Sequence, residues 1–343
     1  MDSLTQIVLG GAVGEASGGK HLGNKAVLWG AIGGTIPDLD VFIMGFFHPI
    51  DAALIHRGFS HSILFAFLAG PILGYLLYLI YKKKIELKIW IRLGFLSIIT
   101  HPLLDIFTTY GTELFWPYPN RIAFNTVFVI DPLYTVPFAT CLIMAMRKRK
   151  EDPKRKKWNI AGLVFSTGYL FLGVVIKISL LFSLKNGSIS NNIFSSRTSI
   201  SPMPFTSFYW QVILEDDKNF YIGNCSIFYP INKNSFDTLP KNHHYLNNLK
   251  WENSTHKDKL SLITNNYYTV RPSNDSLFIY DLRFGTASAF TNQTVNRPIM
   301  GFLLLTEGET VLKTEKLPRN DIFSHVDLTN YLRQIFIDPY REK

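Results

Sequence analysis

Ionisable side chains interrupt the most apolar stretches of this 343-residue chain. Six of them, all Asp or His, fall within or beside three successive apolar runs: Asp38, Asp40, His56, His61, His101 and Asp105. A charged side chain in hydrocarbon costs roughly 2.5–3.5 kcal/mol or more, so such residues normally face a partner, a metal or water. Asp and His are also ligand types that bind catalytic divalent cations. The pattern therefore predicts a metal site embedded in a membrane.

The chain divides by composition into an apolar first half and a polar second half. This contrast predicts a mainly α membrane bundle of about five or six transmembrane or re-entrant helices over 1–184, a linker over 185–206 and a small β-rich extracytoplasmic domain over 207–343. The apolar segments span about 3–19, 26–47, 61–81, 89–107, 130–146 and 158–184. Several approach the ~20 residues that a helix needs to cross hydrocarbon, whereas the first and fifth are short.

Basic residues set the expected orientation. Lys and Arg concentrate at 82–88 and 147–157, between apolar segments, where such clusters mark cytoplasmic loops. The segments 48–60 and 108–129 and the polar half are then expected on the non-cytoplasmic side of the membrane. No recognition motif accompanies the net charge of +9, so we expect the bilayer, and no nucleic acid, as the partner. The sequence leaves the oligomeric state open.

The polar half favours β-structure. Aromatic and β-branched residues are concentrated in five segments: 207–214, 219–229, 266–271, 276–284 and 299–306. The acidic run 215–218 predicts a hairpin turn, and 326–336 predicts a short helix. Cys141 and Cys225 fall in different halves, so neither a disulfide nor a Cys-based metal site is expected. The His243–His244 pair is interpreted as a surface feature.

Pro37 stands directly before two of the candidate ligands. Asp38 and Asp40 are two residues apart and would diverge on a regular helix, whereas a kink at Pro37 would let both turn inward. A helix end, with an Asp capping the next turn, would explain the same residues. We favour metal ligation, because capping does not explain the other ionisable groups.

The segment from His56 to Ser62 is the densest polar cluster of the membrane half. Ser60 is placed to cap the third apolar segment, which puts His61 in its first turn and His56 in the preceding loop. Neutral imidazoles bind zinc or manganese well, and Arg57 could clamp a phosphate through two hydrogen bonds. An interfacial loop with exposed His residues and a snorkelling Arg would explain this segment equally well.

His101 and Asp105 lie at i and i+4, on one face of the fourth apolar segment. The pair could bind one ion, or Asp105 could orient His101, and a purely structural His–Asp hydrogen bond is the alternative. Glu15 and Asp131 are further catalytic candidates, although Asp131 is at least as well placed to cap a helix that begins at Pro132. The surplus of ligands suits a di-metal centre better than a single ion.

These motifs together resemble the YdjM-like family. The resemblance rests on Asp-Leu-Asp at 38–40, His-Arg-Gly-Phe-Ser-His-Ser at 56–62 and His-x-x-x-Asp at 101–105, and it continues through 110–112, 116–117 and 130–134. It covers roughly 1–185, and the joint spacing is more specific than any single motif. It implies a LexA-regulated inner-membrane protein with metal-dependent hydrolase activity of phospholipase type. The β-rich domain looks like an extension found in a subset of such proteins.

Three functions are compatible with the sequence. The first is a hydrolase in which the six candidate ligands hold one or two divalent ions, zinc or manganese, and Arg57 stabilises charge developing on a membrane lipid ester or phosphodiester. The second is a proton- or metal-ion-coupled transporter, against which the lack of inverted repeats argues. The third is a non-catalytic anchor for a partner-binding outer domain. We expect the hydrolase.

Overall fold

The structure is a computed structural model that describes residues 1–186, 196–229, 236–286, 298–317 and 327–337. The helices are α1 Ser3–Leu22, α2 Asn24–Thr35, α3 Val41–Met44, α4 Pro49–Ile55, α5 Ile63–Ile80, α6 Leu87–Asp105, α7 Pro132–Met146, α8 Pro153–Asn186, α9 His256–Thr264 and α10 Leu328–Phe336. The strands are β1 Arg197–Pro202, β2 Tyr209–Glu215, β3 Asn219–Ser226, β4 Asp237–Pro240, β5 Tyr268–Ser273, β6 Ser276–Thr286, β7 Pro298–Glu307 and β8 Thr310–Lys316.

The chain forms two compact units. The first comprises Met1–Gly45 and Ile55–Val174, and the second comprises Phe46–Leu54 and Val175–Lys343.

The helical first half contains the membrane-crossing segments. Among the described residues, four segments are long and apolar enough to cross a bilayer: Asn24–Met44, Ile63–Ile80, Leu87–Asp105 and Pro153–Lys185. The first of them combines α2, a 3-10 turn and α3. The α7 helix is apolar but only 15 residues long. The predicted helical membrane region followed by a β-rich part is therefore confirmed.

Glycines set the distance between α1 and α2. A Cβ atom added at Gly14 of α1 would lie 2.2 Å from the carbonyl oxygen of Ala26, and one added at Gly30 of α2 would lie 2.3 Å from that of Gly10. No side chain fits there, because the two backbones are in contact. Small residues allow this close approach of helices within a membrane. The contact holds α2 in place just before the segment that carries Asp38.

We expect Gly14→Ala to destabilise the helical unit by about 1–3 kcal/mol, because the added methyl group must push α1 and α2 apart. Gly168→Ala in α8 is the matched control, since an added Cβ there meets nothing within 4 Å. Both changes raise helix propensity equally, so their difference isolates the packing effect. Thermal unfolding of the two variants in detergent measures it, and equal unfolding temperatures would contradict the tight contact.

The second unit contains two four-stranded antiparallel sheets, ordered β1-β2-β3-β4 and β5-β6-β7-β8. The five predicted strand segments correspond to β2, β3, β5, β6 and β7, and the predicted helix corresponds to α10. The sequence interpretation missed β1, β4, β8 and α9. In particular, β1 occupies Arg197–Pro202 inside the predicted linker. Its single large apolar residue, Ile200, gave too little alternation to identify a strand.

The division between the units differs from the predicted boundary at residue 184. The helix α8 continues across the division at Val174 and Val175, where an uninterrupted apolar sequence gives no compositional signal. The segment Phe46–Leu54 belongs to the second unit, although residues 48–54 were expected in an outer loop and residues 46 and 47 in the second apolar segment. Ile50 and Ala53 of α4 are buried there in a core that includes Leu260 of α9.

Candidate metal centre

A break in the second apolar segment positions the two Asp residues. After α2 ends at Thr35, residues Ile36–Asp40 form a 3-10 turn that begins with Ile36 and Pro37, and α3 continues from Val41. In a 3-10 turn, residues two apart are separated by about 120° around the axis, instead of about 160° in an α-helix. The helix is thus interrupted by a 3-10 turn at Pro37, and Asp38 and Asp40 both contact side chains of the segment 56–61.

Four side-chain atoms converge next to this turn. His61 Nε2 and His101 Nε2 lie 3.2 Å apart. Asp38 Oδ1 lies 3.3 Å from the first nitrogen and 3.4 Å from the second. Asp105 Oδ2 lies 3.7 Å from His61 Nε2 and 3.8 Å from His101 Nε2. The side chains of His61, His101 and Asp105 are buried, whereas the Asp38 side chain is 25% exposed. Solvent therefore reaches the group from the side of Asp38.

Hydrogen bonds on the opposite ring nitrogens set the protonation of both imidazoles. His101 Nδ1 donates to the carbonyl oxygen of Gly34 over 2.5 Å. The Ser60 hydroxyl donates to Asp40 Oδ2 over 2.7 Å, so its oxygen accepts from His61 Nδ1 at 2.9 Å. Each neutral imidazole then carries its proton on Nδ1 and presents a lone pair on Nε2. Partners of this kind orient the His ligands of metal sites.

The converging atoms are therefore all electron-pair donors. With neutral imidazoles, no proton lies between the two Nε2 atoms and the two carboxylate oxygens, and the four atoms repel one another. Asp105 Oδ2 is buried and makes no hydrogen bond, although Arg57 Nε lies 3.1 Å away. A bound cation would satisfy all four atoms. This donor set, two imidazoles and two carboxylates, is one that zinc and related ions prefer.

The distances also fit a tetrahedral ion. Zinc bonds to His nitrogen and carboxylate oxygen are about 2.0–2.2 Å long, which separates neighbouring donors by about 3.3–3.6 Å. The three distances among Asp38, His61 and His101 are 3.2, 3.3 and 3.4 Å. The two distances from Asp105 exceed the expected separation by a few tenths of an ångström. The residues present thus fit a single divalent ion, with Asp38, His61 and His101 at the expected spacing and Asp105 slightly further away, and a catalytic ion of this kind also keeps a position for water or substrate.

Asp40 and His56, both predicted as ligands, lie further from this group. His56 Nδ1 donates to Asp40 Oδ1 over 2.9 Å, while Asp40 Oδ2 accepts from Ser60. Both Asp40 oxygens are thus engaged in orienting other side chains. One donor atom each of His56, Asp38 and His61 also lie within 4.8 Å of one another. The geometry makes Asp40 an orienting residue and places His56, 23% exposed, at the accessible edge.

Arg57 does not present its guanidinium to solvent. Its Nε atom lies 3.1 Å from Asp105 Oδ2, and its Nη1 atom donates to the Thr108 hydroxyl over 2.8 Å. The guanidinium also lies over the Tyr110 ring, 5.0 Å from the centroid. Arg57 has a φ of 67°, a left-handed conformation that side chains rarely adopt and that persists only where the surroundings enforce it. The residue thus holds Asp105 in place.

The centre carries more negative than positive charge. Asp105 also accepts from the amino group of Met1 and, over 2.9 Å, from Gln6 Nε2. Even with the Met1 amino group counted beside Arg57, two fixed positive charges face three carboxylates, those of Asp38, Asp40 and Asp105. Because buried charges are costly unless they are paired, this excess favours a further cation.

The structure does not bring Glu15 or Asp131 into this group. Glu15 is buried in an ion pair, with Arg155 Nε donating to its Oε1 over 2.6 Å and Nη2 donating to its Oε2 over 2.5 Å. Asp131 caps α7 by accepting from the Leu133 amide over 3.0 Å, and it accepts from the Tyr169 hydroxyl over 2.8 Å. The capping alternative for Asp131 is thus the one observed, and Glu15 has a structural partner that the sequence interpretation did not identify.

Several supporting residues were also missed. Ser60 was expected to cap the third apolar segment, but Ser62 does so by accepting from the Phe65 amide over 3.0 Å. Because residues Phe59–His61 form a 3-10 turn and α5 starts only at Ile63, Ser60 is free to link His61 to Asp40. The role of Gly34 could not be predicted from its residue type, because its backbone carbonyl oxygen accepts the hydrogen bond from His101.

Comparison with known proteins identifies the family. Residues 1–180 match the YdjM inner membrane protein family. This chain belongs to that family. The uncharacterized protein YfhP of Bacillus subtilis is 24% identical over 255 residues, which cover 70% of this chain and 73% of the relative. The inner membrane protein YbcI of Escherichia coli is 31% identical over 107 residues, 31% of this chain and 61% of the relative. No solved structure matches the chain significantly.

The YdjM match includes all six predicted ligands and ends before β1. It confirms the predicted family and, together with the apolar helices, the membrane location. The name of YbcI gives a location, and neither relative's name gives a reaction. The chemistry of this YdjM family member therefore has to be inferred from its residues.

Proposed function

We propose that this protein is a metal-dependent hydrolase that acts on lipid ester or phosphodiester bonds at the outer face of the inner membrane. One observation carries the proposal: Asp38 Oδ1 and Asp105 Oδ2 both lie within 3.8 Å of His61 Nε2 and His101 Nε2, which are themselves 3.2 Å apart. These four residues would hold the ion. When bound, zinc or manganese polarises a phosphoryl or acyl oxygen and lowers the pKa of water toward about 7.

His56 and Asp40 are suited to move the proton of an attacking water. Because His56 Nδ1 donates to Asp40, its Nε2 atom is left with a lone pair that can accept a proton and later release it to the leaving group. The Asp40 carboxylate would stabilise the imidazolium formed in between, as in other His–carboxylate pairs. The partial exposure of His56 allows it to exchange this proton with water. Arg57 would act through Asp105, as a positioning residue.

Aromatic side chains near the site support a lipid substrate. Phe59 precedes His61 by two residues, is 41% exposed and packs against Trp116 with ring centroids 5.0 Å apart. Phe115 and Tyr118 are exposed as well. Trp and Tyr favour the membrane–water interface, where the ester and phosphate groups of a lipid lie. The basic residues at 82–88 and 147–157 support an orientation that puts this interface, and the C-terminal domain, outside the cytoplasm.

Hydrolysis of defined lipids by the purified protein tests the proposal. We expect release of fatty acid or head group from glycerophospholipid micelles, loss of this activity after treatment with a chelator, and recovery on adding zinc or manganese. Metal-loaded protein that cleaves neither bond type would overturn the proposal. Accumulation of zinc in sealed vesicles, with no lipid cleaved, would instead favour the transporter.

A further inference from the structure

A second group of metal-ligating side chains lies outside the proposed hydrolase centre. His48 directly precedes α4, Asp51 lies in the first turn of α4, and His256 is the first residue of α9. One donor atom of each lies within 4.8 Å of the others. All three belong to the second unit, and His256 lies beyond the region matched by the YdjM family. The group is therefore independent of the residues that carry the proposed function.

The two imidazoles are held face to face. Their rings stack with centroids 4.0 Å apart and an interplanar angle of 13°. His256 Nε2 lies 3.3 Å from Asp51 Oδ2, and His48 Nε2 lies 3.6 Å from Glu252 Oε2. The arrangement places two carboxylates around two imidazoles, which is again a donor set of the zinc type.

Two nitrogens of this group lack hydrogen-bond partners. His256 Nδ1 and His48 Nε2 are both buried and make no hydrogen bond, and the His256 side chain is only 4% exposed. Buried polar atoms in folded proteins are normally satisfied, and a bound ion would satisfy these nitrogens. His48 Nδ1 accepts from the Ile50 amide over 3.4 Å, so binding an ion through Nε2 requires the tautomer that gives up this contact.

Lys259 is compatible with a metal at this place. Its Nζ atom donates to Asp51 Oδ1 over 2.6 Å, which leaves Asp51 Oδ2 directed at His256. Carboxylate ligands commonly accept a hydrogen bond on one oxygen while the other binds the ion. Packing fixes the backbone on both sides, since Ile50 of α4 and Leu260 of α9 are fully buried in one core.

We propose that His48, Asp51 and His256 form a second site for a divalent cation of the zinc type, with Glu252 within reach as a fourth ligand. The ion would cross-link α4 and α9 within the second unit. Such a site stabilises the folded domain, because the ligands are brought together only on folding.

Metal content of the full-length protein tests this site without reference to activity. After loading with zinc chloride and removal of excess ion, His256→Gln is expected to retain about one equivalent less zinc per chain than wild type. His244→Gln is the matched control, because His244 is an exposed residue of the same unit, and it should match wild type. Zinc should also raise the unfolding temperature of the second unit in wild type but not in His256→Gln.

A further variant separates this site from the hydrolase centre. Asp38→Asn/His101→Gln removes two ligands of the first centre, and it should still bind zinc with X-ray absorption features of imidazole ligands. Equal zinc content in wild type and His256→Gln would overturn the second site, whatever the lipid assay gives. If His256→Gln does not fold, Asp51→Asn replaces it, since Asp51 is partly exposed. Unchanged zinc content in that variant would overturn the site in the same way.

Discussion

Replacing His101 or Asp105 is expected to remove the metal of this centre, about one equivalent per chain, and to abolish lipid hydrolysis. His101→Gln removes an imidazole lone pair, and Asp105→Asn keeps the size of the side chain but removes its charge. A bound metal supplies several kcal/mol of transition-state stabilisation, so its loss should lower kcat/KM by about a thousandfold or more. Zinc content and hydrolysis are measured on the same preparations, with circular dichroism to verify folding.

The control for these variants comes from the same helix. Thr100 precedes His101 but donates its hydroxyl hydrogen to the Leu96 carbonyl, within α6. Thr100→Val should therefore retain metal and activity. Normal zinc content together with normal turnover in both His101→Gln and Asp105→Asn would contradict the proposed metal centre.

Variants of Asp40 and His56 separate coordinating from supporting roles. Asp40→Asn should weaken metal affinity by about 10–100-fold without abolishing binding, because Asp40 orients His61 through Ser60. His56→Gln should retain the metal and slow hydrolysis by about 10²–10⁴-fold, the usual contribution of a proton-transfer group. Loss of a whole metal equivalent in His56→Gln would instead make His56 a ligand, and a further equivalent that is retained there but lost in His101→Gln would show that the centre holds two ions.

The residues of the centre could be found from the sequence because their types conflict with their surroundings. Carboxylates and imidazoles inside apolar segments are conspicuous, so Asp38, His101 and Asp105 were identified by position alone. Residue type and position did not predict which of these side chains converge on the centre and which only orient the others. It depends on two 3-10 turns, at Ile36–Asp40 and Phe59–His61, that set which oxygen or nitrogen faces the centre.

The fold was predictable where periodicity or length is strong. Long apolar segments gave the helices within a few residues, and the aromatic and β-branched runs gave the central strands. The edge strand β8 was missed because its sequence, Thr310–Lys316, mixes charged residues with only two large apolar ones. The short helix α9 was missed for a similar reason, since His256–Thr264 is mostly polar and is fixed by burying Leu260 and Ile263. Tertiary packing, which the sequence does not display, determines both elements.

Loss of the Glu15 carboxylate is expected to destabilise the helical unit strongly. Glu15 and Arg155 are both buried, and Arg155 also donates to Asn24 Oδ1 and to the carbonyl oxygen of Lys148. Glu15→Ala leaves the guanidinium buried without a counter-charge, which costs about 3–5 kcal/mol of unfolding free energy. Thermal and denaturant unfolding in detergent measure this loss.

Two comparisons make that result specific to the buried pair. Glu86 forms an ion pair with Lys88 that is exposed to solvent, so Glu86→Ala should leave stability unchanged. The double variant Glu15→Leu/Arg155→Met should recover most of the stability, because apolar residues of similar volume replace a buried pair well. The catalytic role first considered for Glu15 requires the opposite pattern, in which Glu15→Ala unfolds like wild type but has lost turnover. Stability and turnover measured on one preparation therefore decide whether Glu15 supports the bundle or takes part in chemistry.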